Sequence, residues 1–166
     1  MGSKRRKFTA SSVPGKIHVI ENQQKRIPLP LPELERFMGR LNRELGLRKD
    51  AAFVRFVTDA EMKRLNTTFR KKPKTTDVLS FPSEDRTRPR SVGMRAKQLR
   101  GTFLGDIAIS PTVAGRNAKV FGRSMPEEIC VLLLHGVLHL LGYDHETDRG
   151  EMERVEAALR IRLRLS

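Results

Sequence analysis

Apolar and polar positions along the 166-residue chain follow two different periods, and the switches between them divide it into elements. Lys16 to Asn22 (KIHVIEN) alternates as a half-buried strand does. Beyond the Pro28-Leu29-Pro30 breaker, Leu34, Phe37, Met38, Leu41 and Leu45 recur at helical spacing until Gly46 ends the pattern, which predicts a helix facing the core. Ala51 to Val57, rich in Phe and Val, reads as a strand, and Thr58 with Glu61 forms a capping box for a helix through Phe69. Asp77 to Pro82 (DVLSFP) is a short strand whose proline predicts a sheet edge. Phe103 to Ser110 (FLGDIAIS) is another, followed by a helix beginning near Pro111. Ser124 and Glu127 make a second capping box that launches an apolar, buried helix running to Leu141. A last helix, roughly Asp148 to Arg164, carries Met152, Val155, Leu159 and Leu163 at helical spacing, with Met152 in the core. There are no internal repeats.

Three stretches have no hydrophobic period. Residues 1–15 are polar and basic up to Pro14-Gly15 and read as a disordered tail. Arg70 to Thr75 (RKKPKT) is too charged and proline-broken for a packed element, and residues 83–101 form a long loop. The rest, 16–166, has the length of one domain. No run approaches the roughly 20 apolar residues that span a bilayer, and no apolar segment follows the basic N-terminus, so a cytoplasmic protein without a membrane partner is expected.

Charge narrows the partner. Lys and Arg total 33 against 19 acidic residues, for a net charge of +14 and a pI near 10.9. The excess is clumped: Lys4, Arg5, Arg6 and Lys7 in the tail, and ten basic side chains between residues 70 and 101 against Asp77, Glu84 and Asp85. Such clumps favour a polyanion by long-range attraction and counterion release, and nucleic acid is the first reading. With eight Phe, one Tyr and no Trp, base stacking is not an obvious recognition device. The lone Cys130 cannot form an internal disulfide and sits in an apolar helical run, so it reads as core packing. His18 stands alone on its strand and reads as structural.

The other three histidines carry the chemistry. His135 and His139 are four residues apart on a helix, and at about 100° per residue both imidazoles fall on one face, a turn apart, where they can share one metal ion. Gly142 can take the left-handed conformation that stops a helix, which lets the chain return His145 as a third ligand. Three protein ligands leave a position open for water, as in catalytic sites. The competing reading is packing or chance clustering, but two unpaired imidazoles in a run as apolar as VLLLHGVLHLLG would be costly to bury.

The string H-x-x-x-H-x-x-G-x-x-H resembles the metzincin proteases, except that the glutamate base that follows their first histidine is replaced here by Gly136. A peptidase built this way lacks its base. A bound metal can itself lower the pKa of water from about 15.7 toward 7, so phosphodiester hydrolysis does not need that glutamate. Asp144 and Glu146 could orient ligands or accept a proton.

Four motifs in order then resemble the YbeY family of bacterial endoribonucleases, which act in ribosomal RNA maturation and ribosome quality control: Leu65-Asn66 with Phe69-Arg70, Thr76 to Pro82 (TDVLSFP), Leu104 to Ile107 (LGDI), and His135 to His145 (HGVLHLLGYDH). The resemblance covers about residues 16–160. It implies that His135, His139 and His145 bind one divalent ion, zinc or similar, and that Arg70 faces the site. A guanidinium there suits phosphate oxygens and the charge of a pentacoordinate transition state, and the alternative is one more solvated charge. Arg70 and His135 are thus the catalytic candidates, and Lys71, Lys72, Lys74, Arg86, Arg88 and Arg90 join Arg70 as candidate RNA contacts. Ser80 and Asp106 lie in family motifs, and Asp106 could organise backbone near the metal or cap a turn. The tail before Pro14 and the 83–101 loop depart from the family pattern.

The fold expected is α+β, a zincin-like single domain with a small mixed sheet of about four strands covered by helices. The expected function is metal-dependent cleavage of single-stranded RNA, with precursor ribosomal RNA, the small ribosomal subunit and its assembly factors as partners. The rival is an assembly factor that binds RNA around a structural metal and cuts nothing, and a third reading is a hydrolase of another substrate.

Overall fold

The computed structural model describes residues 18–83 and 101–166. The basic tail, the Lys16 start of the first strand and most of the 83–101 loop, with Arg86, Arg88 and Arg90, lie outside the described residues. Within them the chain runs β1 (Ile20–Asn22), α1 (Leu31–Glu44), β2 (Ala52–Phe56), α2 (Asp59–Arg70), β3 (Val78–Pro82), β4 (Gly105–Ile109), α3 (Pro111–Phe121), α4 (Met125–Leu140) and α5 (Glu151–Leu163). The fold is α+β, as expected, and the strands are shorter than the sequence pattern at their ends.

The sheet is mixed and four-stranded in the order β1-β2-β4-β3, with β1, β2 and β4 parallel and β3 antiparallel to β4. Pro82 therefore lies on an edge strand, where its missing N–H costs no central ladder bond. Because side chains alternate along a strand, the register Val54↔Ile107↔Ser80 defines one face and Phe53↔Asp106↔Phe81 the other. The first face carries the larger core: Val54, Phe56, Ile107 and Ile109 pack with Leu34 and Leu41 of α1 and with Ile129, Leu133 and Leu134 of α4, all fully buried or nearly so. Each such side chain contributes roughly 1.5–3 kcal/mol relative to exposure. On the other face Ala108 and Leu79 pack with Met62 and Leu65 of α2.

Helix α4 is the hub, touching β3, β4, α1, α3 and α5. Buried on nearly every side, it is apolar all round rather than amphipathic. Its start is the reciprocal capping box expected at Ser124 and Glu127. The box expected on α2 forms only by half: Thr58 Oγ1 accepts from the Glu61 N–H at 3.2 Å, but the Glu61 carboxylate turns to Arg64. A guanidinium one turn along the helix competes successfully with the neutral N–H of Thr58.

Gly136 sits where α4 presses on the sheet. A Cβ there would lie 3.1 Å from two Ile107 side-chain atoms and 3.3 Å from Ser80 Oγ, which itself donates to the Gly136 carbonyl at 3.0 Å. The position that holds a catalytic glutamate in metzincins thus faces β3 and β4 here, and no side chain fits without displacing neighbours. The two features are one: the helix comes close enough for this sheet contact because the residue is glycine.

Candidate metal centre and cleft

Helix α4 runs out at Leu140, and Gly142, at φ 95°, turns the chain back on itself. His135 and His139 project from the last turns of α4, and His145 comes from the loop that follows. Their ring centroids stand 4.6, 5.5 and 5.3 Å apart, and one nitrogen from each lies within 4.8 Å of the others. The three expected ligand residues are therefore brought together.

Hydrogen bonds fix the tautomers of the first two. His135 Nδ1–H donates to Glu156 Oε2 of α5 at 2.9 Å, and His139 Nδ1–H donates to the Tyr143 carbonyl at 3.0 Å. Each neutral ring then has an unprotonated Nε2, and the two Nε2 atoms face one another at 3.0 Å. Burial, and next the neighbouring histidines, lower the pKa of His139, which favours the neutral form that coordinates metal. Nitrogens around a tetrahedral zinc stand about 3.3 Å apart, so this donor set fits a divalent ion.

Glu156 escaped the sequence reading. Burial alone would raise its carboxyl, but the hydrogen bond from His135 and the Arg160 guanidinium, 2.8 Å from Oε1, together hold it below its usual range. Nothing in the string E-M-E-R-V-E distinguishes it from a solvated helical glutamate. Its spacing of four from Met152, a buried residue of α5, is the one hint that it faces inward.

The histidines open on a cavity of about 850 Å³ whose wall includes Phe69, Arg70, Asp77, Ser80, Phe81, Tyr143, Asp144 and Glu146. Arg70 ends α2 and points across the cleft toward Glu146, Nη2 to Oε1 at 3.9 Å, with both side chains largely in solvent. The turn that carries Arg70 is tied down by buried Asn66. Its Nδ2 donates to the Lys74 carbonyl at 2.8 Å, and its backbone carbonyl accepts from the Lys72 N–H. Lys71 takes a left-handed conformation at the C-cap. Lys71, Lys72 and Lys74 are exposed along this turn, beside the cleft rather than in its wall.

Asp144 spends its carboxylate on structure: Oδ1 accepts from the Glu146 N–H at 3.0 Å, while its carbonyl accepts from Thr147 and Asp148. It shapes the loop that presents His145. Ser80 lines the cleft and clasps α4, as described. Asp77 is a clasp too, accepting from the Val78 N–H at 2.8 Å and from Asn117 Nδ2 at 3.0 Å. Asp106 is not brought to the site. It lies within β4, not at a turn, on the sheet face away from α4, near Arg55. Burial raises its carboxyl and Arg55 opposes the rise. Cys130 is half-buried against the core, and burial pushes its thiol up to about 12, so it is an inert packing group. His18 pairs with Glu35 at 2.8 Å near the surface, far along the chain from the cluster.

No helix of the described residues is long and apolar enough to cross a membrane. A sequence model of the family described as Endoribonuclease YbeY matches residues 19–164. The Endoribonuclease YbeY of Solibacter usitatus is 45% identical over 144 residues, spanning 85% of this chain and 86% of that protein. That of Koribacter versatilis is 41% identical over 132 residues, spanning 80% and 76%. The solution structure of TM1509 from Thermotoga maritima superposes with a TM-score of 0.52 and 25% identity over 87% of this chain and 88% of that one. With three of the four motifs lining one cleft and a match along nearly the whole chain, this protein belongs to the endoribonuclease YbeY family.

Proposed function

We propose that this chain is a metal-dependent endoribonuclease that cuts single-stranded RNA, with zinc held by His135, His139 and His145. Its substrate in the cell is precursor ribosomal RNA, met on the small ribosomal subunit and its assembly factors in the cytoplasm, where it serves RNA maturation and ribosome quality control. The observation that carries this reading is the pair of Nε2 atoms 3.0 Å apart, each freed by an engaged Nδ1, opening on a cleft that Arg70 also lines.

When bound, the metal supplies a Lewis acid and a lowered pKa for water. The protein's own groups do the rest. Arg70 offers paired N–H donors to non-bridging phosphate oxygens and meets the negative charge that grows on them in the transition state. Glu146 faces the cleft with an exposed carboxylate, whereas one oxygen of Asp144 is engaged by its loop, so Glu146 is the better placed to accept a proton from water. The lysines of the turn after α2 draw in the RNA backbone from solvent.

The test is cleavage of a single-stranded RNA by identically purified, metal-analysed wild type, His139→Ala and Arg70→Ala. Activity that tracks bound metal and falls in both variants supports the proposal. A fully metallated wild type that binds RNA without cutting it makes the chain an RNA-binding assembly factor instead.

A further inference from the structure

Four large apolar residues among those described stand well exposed: Phe69 at 58%, Val120, Phe121 and Ile161. Val120 and Phe121 belong to α3 and Ile161 to α5, and the Arg123 guanidinium lies 5.1 Å from the Phe121 ring centre. Phe69 differs from all three because it lines the catalytic cleft, next in sequence to Arg70.

The ring of Phe69 meets that of Phe81 at 5.0 Å and 68°, an edge-to-face contact. A ring has two faces, and such a contact covers one at most. The bracing fixes the ring's pitch, and its exposure leaves the remaining surface open to the cleft. Helix α2 ends at Arg70 and Asn66 pins the turn beyond, so ring and guanidinium are held on one rigid support.

From this juxtaposition of an open, braced aromatic face with a phosphate-binding arginine and the histidine cluster, we propose that Phe69 is a base-stacking platform for the unpaired nucleotide adjoining the scissile phosphate. The subsite rests on the ribonuclease reading above and adds its recognition of the base. A phenyl ring has no hydrogen-bonding edge, and every base has a π face, so the platform accepts any base and favours those with the larger stacking area, purines over pyrimidines. A base paired in a duplex keeps its faces covered by its neighbours. The platform therefore selects single strands, a property that Arg70, which sees only phosphate, cannot supply.

The experiment uses the metal-loaded full chain and single-stranded RNAs carrying 2-aminopurine at successive positions, with fluorescence followed on mixing and before turnover, beside steady-state cleavage. Wild type quenches the probe at one position next to the cut. Phe69→Leu, which keeps bulk but removes the π face, loses that quenching and raises KM about tenfold, within the range that one base–aromatic stack contributes, while kcat stays within about threefold. Phe69→Trp restores both. Quenching and KM unchanged in Phe69→Leu overturn the platform while leaving the ribonuclease standing, as does a fall in kcat alone that Phe69→Trp fails to rescue. A wild type that neither binds nor cleaves RNA removes the ribonuclease reading and the platform with it.

Discussion

The two walls of the cleft are built to different standards. On the α4 side, His135 and His139 are half-buried, each locked by a hydrogen bond at Nδ1, on a helix packed so closely that a Cβ at Gly136 would crowd Ile107 and Ser80. On the α2 side, Arg70 is largely solvated and its nearest carboxylate stands 3.9 Å away. Those two histidines are oriented before any ligand arrives. The second wall is supported at its backbone, through Asn66, but leaves its side chains to adapt. A small ion with fixed coordination needs the former, and a flexible, charged polymer is served by the latter.

The contrast can be broken or sharpened by experiment, and the largest effect is expected at Arg70. Arg70→Ala should lower kcat for RNA by about 10²–10³-fold, the usual loss when a transition-state donor goes, with metal content unchanged. Arg70→Lys should recover only part, because an ammonium cannot give paired planar donors. Metal lost along with activity in Arg70→Ala would mean that the walls are not separate.

Next comes Glu156→Gln, expected to weaken zinc binding by about 10–100-fold in a competitive chelator titration. The same variant sharpens the comparison through acid. Because the folded carboxyl sits below its unfolded value, its contribution to stability is complete above the unfolded pKa and disappears as pH falls through the folded one. The metal-free wild type should therefore lose stability over that acid window, and Glu156→Gln should lose less there. An unchanged zinc affinity would show that the Nδ1 anchor does not matter.

Salt should separate the walls without mutation. RNA affinity is expected to fall with a log–log slope of about −0.7 for each phosphate contacted, while zinc affinity measured in the same buffers moves little. A flat RNA response would remove the electrostatic role of the basic turn.

The smallest effect is expected at Gly136→Ala. Crowding against Ile107 and Ser80 costs about 1–3 kcal/mol, and the gain in helix propensity of about 1 kcal/mol offsets part of it. A net fall of a few degrees in Tm follows, read by thermal unfolding of the metal-free protein. A rise in Tm would show that α4 has slack against the sheet.

What could be read from the sequence follows the range of the interactions involved. His135 and His139 share a helix, and Gly142 and His145 follow within a few residues, so helical geometry and a glycine turn were enough to assemble the cluster. Pro82 likewise announced its edge strand, and Ser124 with Glu127 its cap. Glu156 is 21 residues from His135 on a different helix, and only the packing of α5 on α4 makes it the partner of that histidine. Gly136 looked like a missing base until the sheet behind it was seen. Asp106 lies away from the cluster for the opposite reason: a strand turns successive residues to opposite faces, and the sequence does not say which face meets the histidine helix. The Thr58 cap was read correctly for its oxygen, but Arg64 takes the carboxylate of Glu61.

His145 differs from its two partners in standing exposed on a loop, whose shape depends on the carboxylate and carbonyl of Asp144. Two candidate donors thus stand on a packed helix and the third on a solvent-facing loop. For an ion held as proposed, exchange would be a matter of timing as well as affinity, with His145 the donor expected to close last and open first. The residence time of such an ion is expected to follow the loop at residues 143–148 rather than the helix, so substitutions there should change the rates of loading and stripping even where equilibrium metal content stays the same.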